Sequence, residues 1–362
     1  MTLSVDIRKQ LGDFQLEAQF QAEEEALALL SASGSGKSIT LRCIAGILRP
    51  DEGVIRLDGE TLFDSAARID LPPQRRNVGY LFQQYALFPN MTAAQNIAAA
   101  VRDRQNAPAV TADLLRRFRL EEAAALRPRQ LSGGQQQRCA LARILASRPK
   151  AILLDEPLSA MDSYLKYQLE LELQDTLSRF PGPVVWVTHD RGEAWRSCRR
   201  VCVIDRGRTE PVMTMEQLFH APGTEAAARL SGCKNYAAAV PSGTFVTLPA
   251  WGITLTCGCP VPEDTTTVGI RSHRVHPALP GTENAFFCTV ERVIDDVFAV
   301  IVLLRPAGAS PEAPLLRMEL DKDAWAALPN KAGCTVSVAP NDLLLLKRGG
   351  SDDVSCRCAD GQ

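Results

Sequence analysis

A chain of 362 residues, 46% of them hydrophobic, is long enough for two or three domains that bury their own cores, so it needs no disulfide or metal staple for stability. Forty basic side chains against 42 acidic ones leave a formal net charge of −2, which excludes a strongly basic nucleic-acid-wrapping protein. No run approaches the ~18 apolar residues of a membrane helix, and the N-terminus lacks the pattern of a signal peptide, so a soluble chain of the cytosol is expected.

In chain order, residues 1–25 alternate loosely and end in Glu23-Glu24-Glu25. Ala26–Leu30 is a compact apolar run that predicts a buried strand. A loop of small residues follows, then a helix from Lys37 whose Leu41, Ile44 and Leu48 form one apolar stripe. Residues 50–85 predict short strands and turns, broken at Pro72-Pro73. Residues 92–130 predict helix, with Pro108 splitting Arg102–Arg119 into two pieces. Three further apolar strands are predicted: Ala151–Leu154 ending at Asp155, Val184–Val187 ending at Thr188-His189, and Val201–Ile204. Strands alternating with helices imply a parallel α/β sheet. After about Gly232 the helical stripes fade, and Phe245–Thr247, Ile253–Thr256 and Cys334–Val338 predict strands of a small β-domain. The domains expected are 1–233, with a helical subdomain at about 86–130, then 234–350, and a disordered tail over 351–362.

The loop Ser31-Ala32-Ser33-Gly34-Ser35-Gly36-Lys37-Ser38 fits the end of a phosphate-binding motif. Small residues let successive N–H groups face a phosphate, and the helix start adds positive potential. Lys37 would reach the β- and γ-phosphates, and the Ser38 hydroxyl would sit on Mg²⁺. The motif's opening glycine is Ser31 here, which is expected to cost about 1 kcal/mol of backbone strain or to shift the loop slightly, while removing no phosphate ligand. The strand ending in Asp155-Glu156 offers one carboxylate for a metal and a second to orient or deprotonate a water. Leu131-Ser132-Gly133-Gly134-Gln135 opens another helix and reads as a second anion site, serving a nucleotide held by another subunit.

This ordered set, with Gln83, Ser159–Asp162 and Thr188-His189-Asp190, resembles the ATPase subunit of an ATP-binding cassette (ABC) transporter over roughly residues 1–230. The resemblance implies a P-loop NTPase with a RecA-like core and helical subdomain, ahead of a small all-β, barrel-like regulatory domain. It implies ATP and Mg²⁺ as cofactors, with Ser31 to Ser38 on ATP and Ser38, Gln83 and Asp155 on the metal. Glu156 would be the general base or water positioner, and His189 would contact the γ-phosphate. Leu131 to Gln135 would close over the partner subunit's ATP, and Asp162 would cross the dimer interface. Phe14 is a candidate to stack on adenine, with a core phenylalanine as the alternative. Gln83–Thr92 would touch the coupling helix of a membrane subunit; the alternative makes Tyr85, Leu87, Phe88 and Met91 the core of a helical subdomain, and the two are compatible.

A freestanding cassette followed by a β-domain resembles the importer branch. Val268–His273 resembles the strand that opens the last barrel segment of that branch's regulatory domains, and Leu230–Asn235 and the Thr282-Glu283-Asn284 entry resemble molybdate-importer ATPases, so molybdate or tungstate is the expected solute. Alternatives are a sulfate, iron, polyamine or sugar importer, or an oxyanion-sensing module with weak ATPase activity. The expected partners are a second copy, membrane permease subunits, an extracytoplasmic solute-binding protein acting indirectly and an oxyanion at the C-terminal domain. No nucleic acid is expected. The expected location is peripheral, on the cytoplasmic face of the membrane. The pairs Cys257/Cys259 and Cys356/Cys358 lack two further ligands at a zinc spacing, and four histidines leave little for a metal centre.

Overall fold

The computed structural model describes residues 1–32, 34–159 and 163–347. Ser33, Asp162, the Cys356/Cys358 pair and the tail therefore lie outside the described residues. The chain divides into two compact units, one ending at Met215 and the other starting at Glu216. The sequence-based boundary at 233/234 falls after two short helices that this division assigns to, or runs through into, the second unit.

The first unit opens with an antiparallel hairpin, β1 (Leu3–Leu11) and β2 (Phe14–Ala22), paired from Leu3↔Ala22 to Leu11↔Phe14. Leu3, Val5 and Ile7 on one strand and Leu16, Ala18, Phe20 and Ala22 on the other face the core, so the alternation is regular. Then come β3 (Ala26–Leu30), α1 (Lys37–Ala45), β4 (Glu52–Leu57), β5 (Glu60–Asp64), β6 (Ile69–Asp70) and β7 (Val78–Leu81). The helical stretch holds α2 (Ala93–Ala98), α3 (Ala107–Arg117) and α4 (Gly133–Ala146). The unit ends with β8 (Ala151–Asp155), α5 (Ser163–Leu177), β9 (Val184–Thr188), α6 (Arg191–Ser197), β10 (Arg200–Asp205), β11 (Arg208–Thr209) and β12 (Met213–Thr214). Pro108 does not split two helices as expected: it sits in the first turn of α3, where its missing N–H has no intrahelical partner to lose.

All these strands share one sheet of order β6-β5-β4-β1-β2-β11-β10-β3-β9-β8-β7, with β12 on β10. The run β10-β3-β9-β8-β7 is parallel, as the apolar strands predict, and β6 to β2 is antiparallel. The register decides the site. Leu30 pairs with Thr188, Asp155 with Val187 and Leu81 with Leu154, so four strands end side by side at one sheet edge. In parallel α/β sheets, ligands bind outside such carboxyl ends.

The helix α7 (Met215–His220) spans the division, and α8 (Glu225–Leu230) follows. The rest of the second unit is nearly all β: β13 (Asn235–Ala238), β14 (Val240–Ser242), β15 (Phe245–Leu248), β16 (Ile253–Thr256), β17 (Thr267–Ile270), β18 (His276–Pro277), β19 (Phe286–Asp295), β20 (Ala299–Pro306), β21 (Leu316–Asp321), the short helix α9 (Lys322–Ala326), β22 (Gly333–Ser337) and β23 (Leu343–Leu346). They form three antiparallel sheets, β13-β17-β23, β14-β15-β16 and β18-β22-β19-β20-β21, around one barrel-like core. Trp251 is fully buried there, and its indole N–H donates to the Pro314 carbonyl at 2.7 Å. The strand expected over Val268–His273 stops at Ile270, and Ser272–Arg274 make a 3₁₀ turn.

Candidate functional site

The loop between β3 and α1 is shaped by its glycines. Gly36 has φ +107°, and a Cβ there would lie 2.8 Å from Leu16 Cδ1 and 3.1 Å from Phe14 Cζ. Both the backbone conformation and the space require glycine. The same contact places the half-buried Phe14 ring against the loop, so this residue belongs to the site's wall. Ser31 is buried, and its φ is not positive, so the strain expected of it is absent: the turn out of the strand does not use the left-handed region here. Lys37 is buried, and its ammonium turns back onto the loop. Burial pushes its pKa down, while the charges of Glu156 and Asp155 oppose that shift.

At the end of β8, Asp155 is buried and doubly held. Ser38 Oγ donates to its Oδ1 at 2.8 Å, and Tyr80 OH donates to its Oδ2 at 2.8 Å. Burial pushes the Tyr80 phenol up first, and the nearby Asp155 charge adds to it, so the hydroxyl stays a donor. Tyr80 is a site residue that the sequence reading missed. Its signal is a lone phenol in a buried strand, which needs a polar partner.

Glu156 follows with φ +47°, its N–H on the Val187 carbonyl at 3.0 Å. This turn swings its carboxylate out of the strand line, and His189 Nδ1 lies 3.3 Å from its Oε1. Thus two residues predicted to act on the same phosphate meet across neighbouring strand ends. Gln83 is exposed, and its amide donates to Ser159 Oγ at 3.4 Å. Ser159 Oγ in turn donates to the Glu156 carbonyl at 3.0 Å. Gln83 therefore engages the Glu156 loop here, whereas the Ser38–Asp155 pair is held by Tyr80.

The second small-residue motif is a helix start of its own. Ser132 caps α4 through a reciprocal pair: Gln135 N–H donates to Ser132 Oγ at 3.3 Å, and Ser132 N–H donates to Gln135 Oε1 at 2.9 Å. Leu131 and Gly134 are buried, while Ser132 and Gly133 are exposed. A Cβ on Gly133 would meet nothing within 4 Å, so this face is open to an approaching group. After Gln83, Tyr85 and Ala86 adopt positive φ, and their carbonyls accept from Arg143 on α4 at 3.1 and 2.9 Å. The fully buried Asn96 amide accepts from Phe88 N–H and donates to the carbonyls of Phe88, Met91 and Thr92. This scaffold leaves the Phe88 and Met91 side chains 48% and 38% exposed.

Residues 16–159 match the family model described as ABC transporter. The chain is 43% identical over 216 residues to the spermidine/putrescine import ATP-binding protein PotA of Thermobifida fusca, covering 58% of this chain and 54% of that protein. It is 38% identical over 296 residues to the Fe(3+) ions import ATP-binding protein FbpC of Streptomyces coelicolor, covering 80% of this chain and 81% of that one. Other relatives are named for molybdenum and for sulfate/thiosulfate import. The match to three polyamine relatives spans only 54% to 63% of their length. Among solved structures, the dimeric post-hydrolysis state of the ATP-binding cassette MJ0796 bound to ADP and Pi is 29% identical, with a TM-score of 0.50 over 59% of this chain and 99% of that one.

Proposed function

The chain belongs to the ABC transporter family, and we propose from that premise that it is the ATP-hydrolysing, energy-coupling subunit of an import system. The observation that carries the reading is the shared sheet edge. The loop Ser31–Ser38, the Ser38–Asp155 pair and the Glu156–His189 pair all emerge from adjacent parallel strands. Loop N–H groups, the α1 start and Lys37 would cradle the triphosphate, with Phe14 beside the adenine. A hydroxyl and a carboxylate form an all-oxygen donor set that suits Mg²⁺, so Ser38 and Asp155 would hold it, with Gln83 joining them after leaving Ser159. When bound, that ion supplies charge neutralisation at the β- and γ-oxygens. Glu156 would orient the attacking water and take its proton. His189 would hold the Glu156 carboxylate in place and present its other ring nitrogen to the γ-phosphate.

The reading includes a head-to-tail dimer. Leu131 to Gln135 would cover the other copy's ATP, and Asp162 would serve the interface. The exposed Phe88 and Met91 would dock on a membrane permease, with this subunit peripheral on the cytoplasmic face. No helix among the described residues is long and apolar enough to cross a membrane.

For the solute, the molybdate expectation rests on C-terminal resemblances, and one of them has a structural job. The Asn284 side chain accepts from Thr256 N–H and donates to the Thr256 and Val338 carbonyls, so it ties strands together. The relatives' names favour polyamine at least as well, with iron, molybdenum and sulfate also represented. The site itself faces the nucleotide and selects no solute.

The test is Glu156→Gln. Turnover of ATP is expected to fall by roughly 10²–10⁴-fold, the range for losing a positioned proton acceptor. Light scattering should then show an ATP-dependent dimer that persists. A variant that stays monomeric in ATP, or keeps its turnover, overturns the reading.

A further inference from the structure

A lysine ammonium has three N–H donors and no acceptor. In this chain all three of Lys37 are used inside its own loop. Nζ lies 2.8 Å from Ser31 Oγ, 3.0 Å from the Ser31 carbonyl and 3.2 Å from the Ala32 carbonyl. Two of these acceptors are backbone atoms that any residue supplies. The third, and the shortest, exists only because serine stands at position 31. That hydroxyl is itself fixed: Ser31 is 1% exposed, Oγ touches Ser35 Oγ, and it lies 3.0 Å from the Ala32 carbonyl. The arrangement is a closed set of polar contacts whose centre, Ser31, Ser35 and Lys37, is buried, and there each contact is stronger than it would be in water.

We propose that Ser31 is a positioning residue that acts through Lys37, and that its hydroxyl competes with the β- and γ-phosphates of ATP for the lysine's third N–H. The proposal rests on the ATP-site reading above. Without the hydroxyl, the ammonium would have one unmet donor aimed for a phosphate. With it, ATP must first displace a buried, charge-assisted hydrogen bond, so the nucleotide-free state is stabilised and affinity is set lower. The effect on binding is thus opposite in sign to a simple packing defect: removing the side-chain oxygen should tighten binding.

The experiment is calorimetric titration of the full chain with MgATP and with AMP, for the unmodified protein, Ser31→Ala and Ser31→Gly. Both variants should bind ATP roughly 3- to 10-fold more tightly, the range for one net hydrogen bond. AMP, which lacks both phosphates that Lys37 would reach, should bind all three proteins alike. The nucleotide-free thermal midpoint should fall in Ser31→Ala, because Lys37 and Ser35 each lose a partner. That drop separates the competing hydroxyl from an inert filler, and it is readable if Ser31→Gly does not fold. Equal or weaker ATP affinity in Ser31→Ala overturns the proposal. Tightening by glycine alone also overturns it, since that would be a backbone effect. If the unmodified chain binds no ATP, the ATPase reading itself falls, and this proposal with it.

Discussion

At the scale of single residues, the side chain with the most at stake outside the proposed chemistry is Arg76. It is 1% exposed, yet each of its three nitrogens has a partner. Nη1 donates to the Cys43 and Ile44 carbonyls at 2.8 and 2.9 Å, Nε to the Leu71 carbonyl at 2.7 Å, and Nη2 to Asp70 at 2.8 Å. Both carbonyls lie in the last turn of α1, where Cys43 also accepts from the Gly46 N–H of the cap. Arg76 thus closes the end of the very helix whose start is the phosphate loop. Arg76→Met keeps much of the volume but takes the side-chain donor from the Ile44 and Leu71 carbonyls, while Cys43 keeps the Gly46 N–H and the exposed Asp70 keeps Arg49 nearby, and is expected to cost about 2 kcal/mol in urea unfolding of the full chain. A cost within experimental error of zero would show that water replaces the guanidinium. Neither Arg76 nor Tyr80 was legible in the sequence, because each meets its partner through tertiary packing: Cys43 lies 33 residues from Arg76, and Asp155 lies 75 from Tyr80. The phosphate loop, Asp155-Glu156 and His189 were legible for the opposite reason. Their chemistry is written locally, as small residues before a helix or polar residues ending an apolar strand.

At the scale of elements, α5 and α6 are joined by two polar clusters. Lys166 on α5 lies 2.6 Å from Asp190 and 3.5 Å from Glu193, and the Trp186 indole donates to Glu193 at 2.6 Å. One α5 turn later, Arg196 of α6 makes a two-pronged contact with the buried Glu170 at 2.7 and 2.9 Å. Asp190 also caps α6 through the N–H groups of Gly192 and Glu193. The clusters link the helix after the proposed dimer loop to the loop carrying His189. Burial alone would raise the Asp190 pKa, but the Lys166 hydrogen bond and the helix N–H groups hold it below its ordinary value. A lowered carboxylate pKa contributes stability above the unfolded value, and that stability is lost as pH falls through the folded value. Burial raises Glu193 instead, despite its bond from Trp186 and the charge of Lys166, so its contribution has the opposite sign and fades as pH rises through its raised value. Lys166→Met should therefore destabilise by about 1 kcal/mol at pH 7, a figure discounted for the partial exposure of Asp190. The loss should shrink as pH falls below the ordinary carboxylate range, first where Asp190 is protonated in the variant and fully only below its lowered value in the unmodified protein. Urea unfolding across this pH range measures it: a loss that already disappears above the ordinary glutamate range, where the raised Glu193 takes its proton, would assign the cluster's energy to Glu193, and a loss that does not shrink in acid would exclude both carboxylates. Among these elements the parallel strands were legible as apolar runs, because a strand buried on both faces has no polar side to confuse its pattern. The helical region was legible only as helix-rich. Its turns depend on Asn96 and Arg143 reaching carbonyls on other segments, which no local pattern announces.

At the scale of the whole molecule, each of the two units has an apolar core of its own among the described residues. One gathers Leu3, Leu16, Leu29, Leu41, Ile55, Leu153 and Val187, and the other gathers Val246, Trp251, Val268, Val302, Leu316 and Val336. Each unit has its own cooperative reason to fold, and the proposed nucleotide contacts all fall on residues before Met215. A ligand that binds only the folded form raises its stability by RT ln(1 + [L]/Kd), about 2.7 kcal/mol at a hundredfold excess over Kd. For a unit of this size that is roughly 5–10 °C in midpoint. The tryptophans allow the two units to be read apart, since Trp186 and Trp195 belong to the first and Trp251 and Trp325 to the second. In a Trp186→Phe/Trp195→Phe double variant, fluorescence reports the second unit alone, while far-ultraviolet circular dichroism still sees both. MgATP should shift the circular dichroism transition of the first unit and leave the fluorescence transition in place. If both transitions move together by the same amount, the second unit feels the nucleotide. It would then be part of the energy-coupling cycle, and a passive appendage would be excluded.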